Sequence, residues 1–181
     1  MKLSRSCTLS IYSSLLLATC ASAASLTAVG VYDDDSCSGT PLQVVFSPTA
    51  TDCSTRRPDS GCALEAKDIG LFATGNCTND PRAFATATFG DSPYVFVEIY
   101  TPDTDCQSLE GVAAYRIDSA CHRTVDAGTS FQVQWDDVSP SFKLFADGSC
   151  SSTPQLQFDL EVDSNECHGS SMKLYVMNTR S

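Results

Sequence analysis

Cysteine is the residue type that most constrains how this chain can fold. The 181 residues contain ten cysteines, of which Cys7 and Cys20 lie close to the N-terminus. The other eight are Cys37, Cys53, Cys62, Cys77, Cys106, Cys121, Cys150 and Cys167. Zinc is disfavoured as their partner, because the nearest pair lies nine positions apart and zinc sites usually use close pairs. An even number of cysteines in an exported chain predicts four disulfides, because the secretory route is oxidising.

The N-terminus has the features of a secretory signal peptide. Lys2 and Arg5 precede an apolar run over residues 9–18, and Ala21-Ser22-Ala23 provides the small residues that signal peptidase accepts. The run is about half as long as the roughly 20 apolar residues that a membrane span needs. We therefore predict a signal peptide over residues 1–23 and a single disulfide-rich β domain over residues 24–181, secreted and without a membrane span.

The charge and composition exclude two classes of protein. The chain carries 22 acidic against 11 basic residues, a net charge of −11. Such a chain repels phosphate, so nucleic acid is not expected as a partner. With 42% hydrophobic and 18% charged residues, it has enough apolar material for a packed core and is not a disordered tail.

Short alternating strands dominate the predicted secondary structure. Apolar residues alternate with polar ones over Phe131 to Trp135, Leu156 to Val162 and Met172 to Val176, as in half-buried strands. Further strands are predicted over residues 26–32, 42–46, 69–73, 83–89, 94–100, 112–117 and 142–146. Residues 63–68 are the one short stretch that could be helical or extended. About ten strands with frequent turns predict an all-β fold, an antiparallel sandwich or a small barrel.

The chain also repeats a short pattern, an aromatic residue followed by four or five residues and a cysteine. It occurs at Tyr32 with Cys37, Phe72 with Cys77, Tyr100 with Cys106, and Phe145 with Cys150. In three units a second cysteine follows after a similar interval. Internal similarity therefore predicts the bridges Cys37 to Cys53, Cys106 to Cys121 and Cys150 to Cys167, and elimination leaves Cys62 with Cys77.

Part of the repeat resembles a Greek-key motif of the βγ-crystallin type. The segment Phe142 to Met177 has an aromatic residue before a short acidic turn, then a strand, and then Gly169-Ser-Ser171 before a last strand. The unit with Tyr32 and Gly39 is similar. The paired Asp/Asn calcium signature of that family is not matched, so the resemblance implies a fold and no calcium ligands. As a class, the chain resembles the small secreted cysteine-rich proteins of filamentous microbes.

Titratable side chains cluster at the predicted turns. The two histidines, His122 and His168, each follow the second cysteine of a unit and could serve as a general base. The run Asp33-Asp34-Asp35, with Asp103, Asp105 and Asp147 at matching corners, could gather carboxylates for calcium or for glycosidase chemistry. Turn residues that accept backbone hydrogen bonds are the favoured interpretation, and Asp136-Asp137 fit a turn as well.

Four further features of the sequence could be binding or modification sites. Trp135 and Tyr100 could stack on a sugar ring, although alternation places Trp135 with Phe131 in the core. Asn76-Cys77-Thr78 is a glycosylation sequon at Asn76. Arg56-Arg57-Pro58 could be a protease-sensitive or protease-binding loop, and a plain exposed loop is favoured.

No motif for catalysis or for a cofactor is found in the sequence. We therefore predict a secreted, monomeric, non-enzymatic interaction protein of the effector, elicitor or inhibitor type, with an extracellular protein or glycan as its partner and no cofactor. The first alternative is a carbohydrate-binding or calcium-binding β module. The second is a small secreted hydrolase, which would need a histidine and an acid converging in a cleft.

Overall fold

The computed structural model describes residues 26–48, 61–66, 70–125, 128–135, 140–160 and 165–178. Within these ranges the chain forms eleven β-strands and one α-helix. The strands are β1 (Leu26–Tyr32), β2 (Gln43–Pro48), β3 (Ala63–Ala66), β4 (Leu71–Thr78), β5 (Tyr94–Tyr100), β6 (Leu109–Arg116), β7 (Cys121–Arg123), β8 (Ser130–Gln134), β9 (Ser141–Phe145), β10 (Leu156–Asp159) and β11 (Met172–Met177), and the helix is α1 (Pro81–Phe89). The all-β prediction is confirmed, and every paired strand is antiparallel. The described part of the stretch with ambiguous secondary structure, residues 63–66, is strand β3.

The strand predicted over residues 83–89 is wrong, because this segment is helix α1. Asp80 caps the helix through Oδ1, which accepts a 2.9 Å hydrogen bond from the Ala83 backbone N–H. Pro81 occupies the first turn, where its missing N–H costs nothing, and Gly90 ends the helix with a φ of 58°. The apolar and threonine-rich composition favoured a strand, but the capping residues on both sides determine the structure.

The N-terminal cap of α1 gives a testable prediction. Asp80→Ala is expected to lower the free energy of unfolding by about 1 kcal/mol, because the Ala83 N–H loses its acceptor. Asp80→Ser, which keeps a side-chain oxygen at the cap, is the control and should lose much less. Urea denaturation followed by circular dichroism measures both variants, and an equal loss in the two would contradict the capping role.

The strands form two sheets that share one core. The larger sheet has the order β11-β5-β6-β2-β1-β4-β3, and the smaller has the order β10-β9-β8-β7. Val31, Val95 and Val97 of the larger sheet pack in one cluster with Phe131 and Phe142 of the smaller sheet. The two sheets therefore lie face to face, and the strands that the structure describes do not close into a barrel.

The other face of the larger sheet is covered in part by α1. Ala85 and Phe89, four residues apart on the helix, pack in a second cluster with Phe96 and Phe46 of the sheet. Phe89 also stacks on Tyr94 at 4.6 Å between ring centroids. This nine-residue helix is too short to cross a membrane, and no other helix in the described ranges could span one.

The disulfides do not follow the predicted pairing. The described residues contain three complete bridges, Cys37–Cys62, Cys106–Cys167 and Cys121–Cys150, with Cα–Cα distances of 5.5, 5.9 and 5.9 Å. These pairs exclude all four predicted bridges, Cys37 to Cys53, Cys62 to Cys77, Cys106 to Cys121 and Cys150 to Cys167. Cys77 is also disulfide-bonded, to a partner outside the described residues, and Cys53 lies outside them.

The strand order of the smaller sheet explains the bridge Cys121–Cys150, which joins strand β7 to the corner after β9. The order β9-β8-β7 places the start of β8 between them, and Ser130 of β8 donates a 2.6 Å hydrogen bond to the Asp147 carbonyl. The Cys150 backbone N–H donates to the same Ser130 hydroxyl at 3.1 Å. The corner therefore folds back beside β7, where Cys121 lies, and not towards Cys167.

The other two bridges follow from the strand order of the larger sheet. Strands β5 and β11 are paired, and the Tyr100 N–H donates to the Ser171 carbonyl at 2.7 Å, which places the turn holding Cys106 beside the segment holding Cys167. Strands β1, β4 and β3 are neighbours, which places the corner after β1 beside Cys62. Each bridge thus joins segments at strands that are either paired, as β5 and β11 are, or separated by one strand, as β1 and β3 and also β7 and β9 are.

Candidate partner-binding surface

Two of the predicted acidic corners, the turn after β1 and the turn after β9, are stabilised by hydrogen bonds to an aspartate carboxylate. Asp34 Oδ1 accepts from the Ser36 N–H at 3.0 Å and from the Ser38 N–H at 3.4 Å. Asp147 Oδ1 accepts from the Ser149 N–H at 2.7 Å and from the Ser151 N–H at 3.2 Å. The two corners therefore share one hydrogen-bond pattern, that of an aspartate whose side chain replaces a backbone acceptor in a turn.

The same hydrogen bonds control the ionisation of both corner carboxylates. Hydrogen bonds from Ser152 and Ser149 hold the pKa of Asp147 well below its usual range, and the Ser36 hydroxyl lowers the pKa of Asp34. Both side chains therefore stay ionised in the fold at neutral pH.

The third corner, the turn between β5 and β6, is also built from acidic residues in a strained backbone. Asp103, Asp105 and Cys106 have φ values of 62°, 49° and 55°, in the left-handed region that costs energy for residues other than glycine. In the part of the chain that the structure describes, no group of three or more His, Cys, Asp or Glu side chains converges as a metal site would require. Asp136 and Asp137 lie outside the described residues.

The lowered carboxyl pKa values predict how stability depends on pH. A carboxyl group whose folded pKa lies below its unfolded pKa of about 4 stabilises the fold above that pH and loses the contribution as the pH falls. Unfolding in urea is therefore expected to show a lower stability near pH 3 than near pH 6. Asp147→Asn should lower the stability near pH 6 and reduce the difference between the two pH values. An unchanged difference would contradict the assignment.

His122 is hydrogen-bonded to an acid, an arrangement that a hydrolase would require. Its Nε2 lies 2.7 Å from Asp118 Oδ1, and its ring packs on Phe131 at 5.3 Å between centroids. Burial alone would raise the pKa of Asp118, but hydrogen bonds from His122 and from the Ala120 N–H outweigh it and lower that pKa. The imidazole is buried, and its Nε2 is occupied by Asp118, so this pair fixes the loop before β7.

Arg116 of β6 connects Asp118 to the larger sheet. Its Nε donates to Asp118 Oδ2 at 2.8 Å, and its Nη1 donates to the Thr40 carbonyl at 3.1 Å. Its Nη2 also lies 3.7 Å from Asp33 Oδ2 in the first corner. The network therefore links β6 to the first corner and to the loop before β7, which is a structural function.

His168 lies in a different environment from His122. Its ring contacts Phe158 edge-on at 5.6 Å between centroids, and its backbone closes the turn before β11 with Met172. The two histidines have matching sequence positions but different local structures.

The two aromatic residues considered for sugar stacking are both engaged in the fold. Trp135 packs against the core that the two sheets share, as alternation predicted. Tyr100 donates a 2.8 Å hydrogen bond to Glu98 Oε2, and Lys173 Nζ lies 5.9 Å from the centre of its ring. Burial, together with the Glu98 carboxylate, raises the pKa of Tyr100 to about 12.

Glu98 is the centre of a polar cluster on the helix side of the larger sheet. It accepts from Tyr100 and, at 2.9 Å, from the Tyr175 hydroxyl of β11. Arg82 of α1 approaches Glu98 Oε1 at 3.6 Å and covers the Tyr175 ring at 4.4 Å. The cluster joins α1, β5 and β11, so its charges are directed to one another.

Two other sequence predictions concern single segments. Asn76 is an exposed residue of β4, next to the disulfide-bonded Cys77, and its glycosylation stays a prediction. Arg56-Arg57-Pro58 lie outside the described residues.

An apolar groove lies beside the Glu98 cluster, where three strands end together. Strand β1 begins at Leu26, opposite Pro48 at the end of β2, and Phe46 of β2 pairs with Val112 of β6. The groove is shallow, with a cavity volume of about 120 Å³. It is lined by Leu26, Phe46, Pro48, Leu109, Val112 and Glu110, among others. This site is not apparent from the sequence, because its residues come from three segments that are far apart in the chain.

Leu109 is a large apolar residue of the groove that is exposed to solvent. Its side chain is 55% exposed, against 48% for Leu64 of β3 and 38% for Leu156 of β10. Leu64 and Leu156 do not line the groove, whereas Leu109 lies beside Phe46 and Val112, which are buried. A partner that covered Leu109 would therefore extend an apolar surface that already exists.

Comparisons with known proteins give no family for this chain. The Greek-key segment is divided between the sheets, with β9 and β10 in the smaller one and β11 in the larger, and its resemblance to the βγ-crystallin type stays a prediction. No family model, curated protein or solved structure matches the chain.

Proposed function

We propose that the protein is a secreted, non-enzymatic interaction protein of the effector, elicitor or inhibitor type, and that the apolar groove beside Leu109 is part of its binding surface. The observation that supports this most is the exposed Leu109 in a groove next to a turn that the Cys106–Cys167 bridge holds. Exposed apolar surface with a polar rim is typical of protein interaction sites.

Secretion is part of the same proposal. Three disulfides in the described residues fit an oxidising compartment, and the N-terminal segment has the sequence of a signal peptide. Expression of the full chain in a secreting host tests this. We expect a processed protein in the medium that begins at Ala24, and retention of the full chain in the cells would contradict it.

The class of partner is tested with the mature protein. A pull-down from extracellular fluid, run beside a glycan array, should give a protein partner and no glycan signal. Binding to a defined glycan would favour the carbohydrate-binding alternative. The absence of binding in both assays would contradict the proposed function.

A further inference from the structure

We infer that the groove binds a cationic peptide segment of a protein partner, with one aromatic or long aliphatic side chain in the groove and Lys or Arg residues on either side of it. The inference rests on the proposed function and adds the chemistry of the partner. It follows from the shape of the groove, from the charge around it and from the rigidity of its rim.

The shape of the groove fits a single side chain. Its cavity volume of about 120 Å³ lies well below the range for drug-sized ligand sites, roughly 300 to 1,000 Å³, and leaves room for about one side chain. Glu110 is the one charged residue among the described residues that line the groove, so the groove offers few hydrogen-bond partners to the many hydroxyls of a sugar. An apolar side chain, which needs no such partners, is the better occupant.

The charge around the groove favours a cationic partner. The two segments that form it, residues 26–48 and 94–112, contain no Lys or Arg. Glu110 lines the groove itself, and Asp103 and Asp105 lie in the turn that joins β5 to β6 at the same end of the sheet. Lysine or arginine residues beside the apolar anchor would face these carboxylates, and the net charge of −11 would attract them over a longer range.

The same charge disfavours a second copy of the chain as the occupant. Each copy would bring a net charge of −11 to the interface, and like charges facing each other are unfavourable. Among the described residues, the cations on this face of the sheet do not offset this repulsion, because Arg82 contacts Glu98 and the Tyr175 ring and Lys173 contacts Asn165 and the Tyr100 ring.

The rim of the groove is held in place before binding. The Cys106–Cys167 bridge ties the turn between β5 and β6 to the segment before β11. Within the turn, the Thr101 N–H donates to the Ser108 carbonyl at 2.9 Å. A rim that is already ordered reduces the entropy that binding would otherwise cost.

Three synthetic peptides of equal length test the inference. One carries a central tryptophan flanked by lysines, the second has serine for the tryptophan, and the third has glutamates for the lysines. Titration of the ¹⁵N-labelled protein by NMR should show that the first binds at least about tenfold more tightly than the second, which lacks the buried apolar side chain, and more tightly than the third, whose glutamates face the carboxylates of the rim. The shifted signals should include Leu26, Phe46, Leu109 and Val112.

Two variants and a control locate the binding. Leu109→Ser should weaken binding of the first peptide about tenfold, and Glu110→Gln about threefold with a smaller dependence on salt. Leu156→Ser, an exposed leucine on the other sheet, should change nothing. Because Leu109 and Leu156 are both exposed, the fold should tolerate the substitutions, and circular dichroism checks this.

Other outcomes would overturn the inference in distinct ways. Equal binding of the three peptides, or wild-type affinity in Leu109→Ser, excludes the groove as the cationic site. A dimer in sedimentation that dissociates in Leu109→Ser would identify a second copy as the occupant. If the wild-type protein and Leu109→Ser capture the same extracellular partner equally, the partner does not bind at the groove, but the proposed function stands. If neither captures a partner, the proposed function itself is contradicted.

Discussion

Replacing both Cys106 and Cys167 with serine is expected to lower the free energy of unfolding by about 4 kcal/mol, in the loop-closure account of disulfide stabilisation. The bridge joins residues 61 positions apart, so its loss frees a long loop in the unfolded chain. Changing both residues avoids an unpaired thiol. Equilibrium unfolding in urea, compared with the wild-type protein at the same pH, measures the loss.

The matched control is the double variant Cys37→Ser, Cys62→Ser. Its bridge closes a separation of 25 residues, so the same account predicts a smaller loss, about 3.5 kcal/mol. A double variant at Cys106 and Cys167 that is as stable as the wild type would contradict the structural role of that bridge. The same result would also show that the rigidity of the groove's rim does not depend on this bridge.

Phe131→Ala is expected to have an effect of similar size, about 3 to 5 kcal/mol, because it leaves a cavity in the core between the sheets. The Phe131 side chain is fully buried, and its ring contacts Tyr115 of the opposite sheet at 4.9 Å between centroids. It also packs on His122. Urea unfolding of the purified variant gives the loss of stability.

Phe158→Ala tests whether this cost comes from the shared core. Phe158 is only half-buried and packs at the margin of the same cluster, so its removal should cost clearly less than that of Phe131. Equal losses in the two variants would show that the packing between the sheets does not dominate the stability of this region.

The strands were predictable because alternation of apolar and polar residues is a local signal. The Phe131 to Trp135 pattern became β8, and the side-chain contacts of Trp135 follow from that alternation. Helix α1 was missed although its signals are also local. Asp80 and Pro81 before the segment and Gly90 after it mark both ends, and they outweigh the strand propensity of its threonines and phenylalanines.

The threonines of α1 explain how that propensity is overcome. The hydroxyls of Thr86 and Thr88 donate to the carbonyls of Arg82 and Phe84, four residues earlier, at 3.0 and 2.8 Å. These bonds satisfy the hydroxyls within the helix. Composition alone does not indicate them.

The disulfides and the groove could not be derived from the sequence, because both depend on which strands are neighbours. Internal similarity paired Cys106 with Cys121, but the pairing of β5 with β11 brings Cys106 to Cys167. The groove combines Leu26, Phe46 and Leu109 from three strands. The turn function of Asp34 and Asp147, in contrast, could be predicted, since it depends on residues within five positions.

Covalent bonds between segments that lie close together in the sheets hold this fold, and we propose that they form during export through an oxidising pathway. Peptide mapping of the native secreted protein without reduction, combined with titration of free thiols, tests it most directly. We expect linked peptides for Cys37–Cys62, Cys106–Cys167 and Cys121–Cys150 and no free thiol. Free cysteines, or a bridge between Cys106 and Cys121, would contradict it.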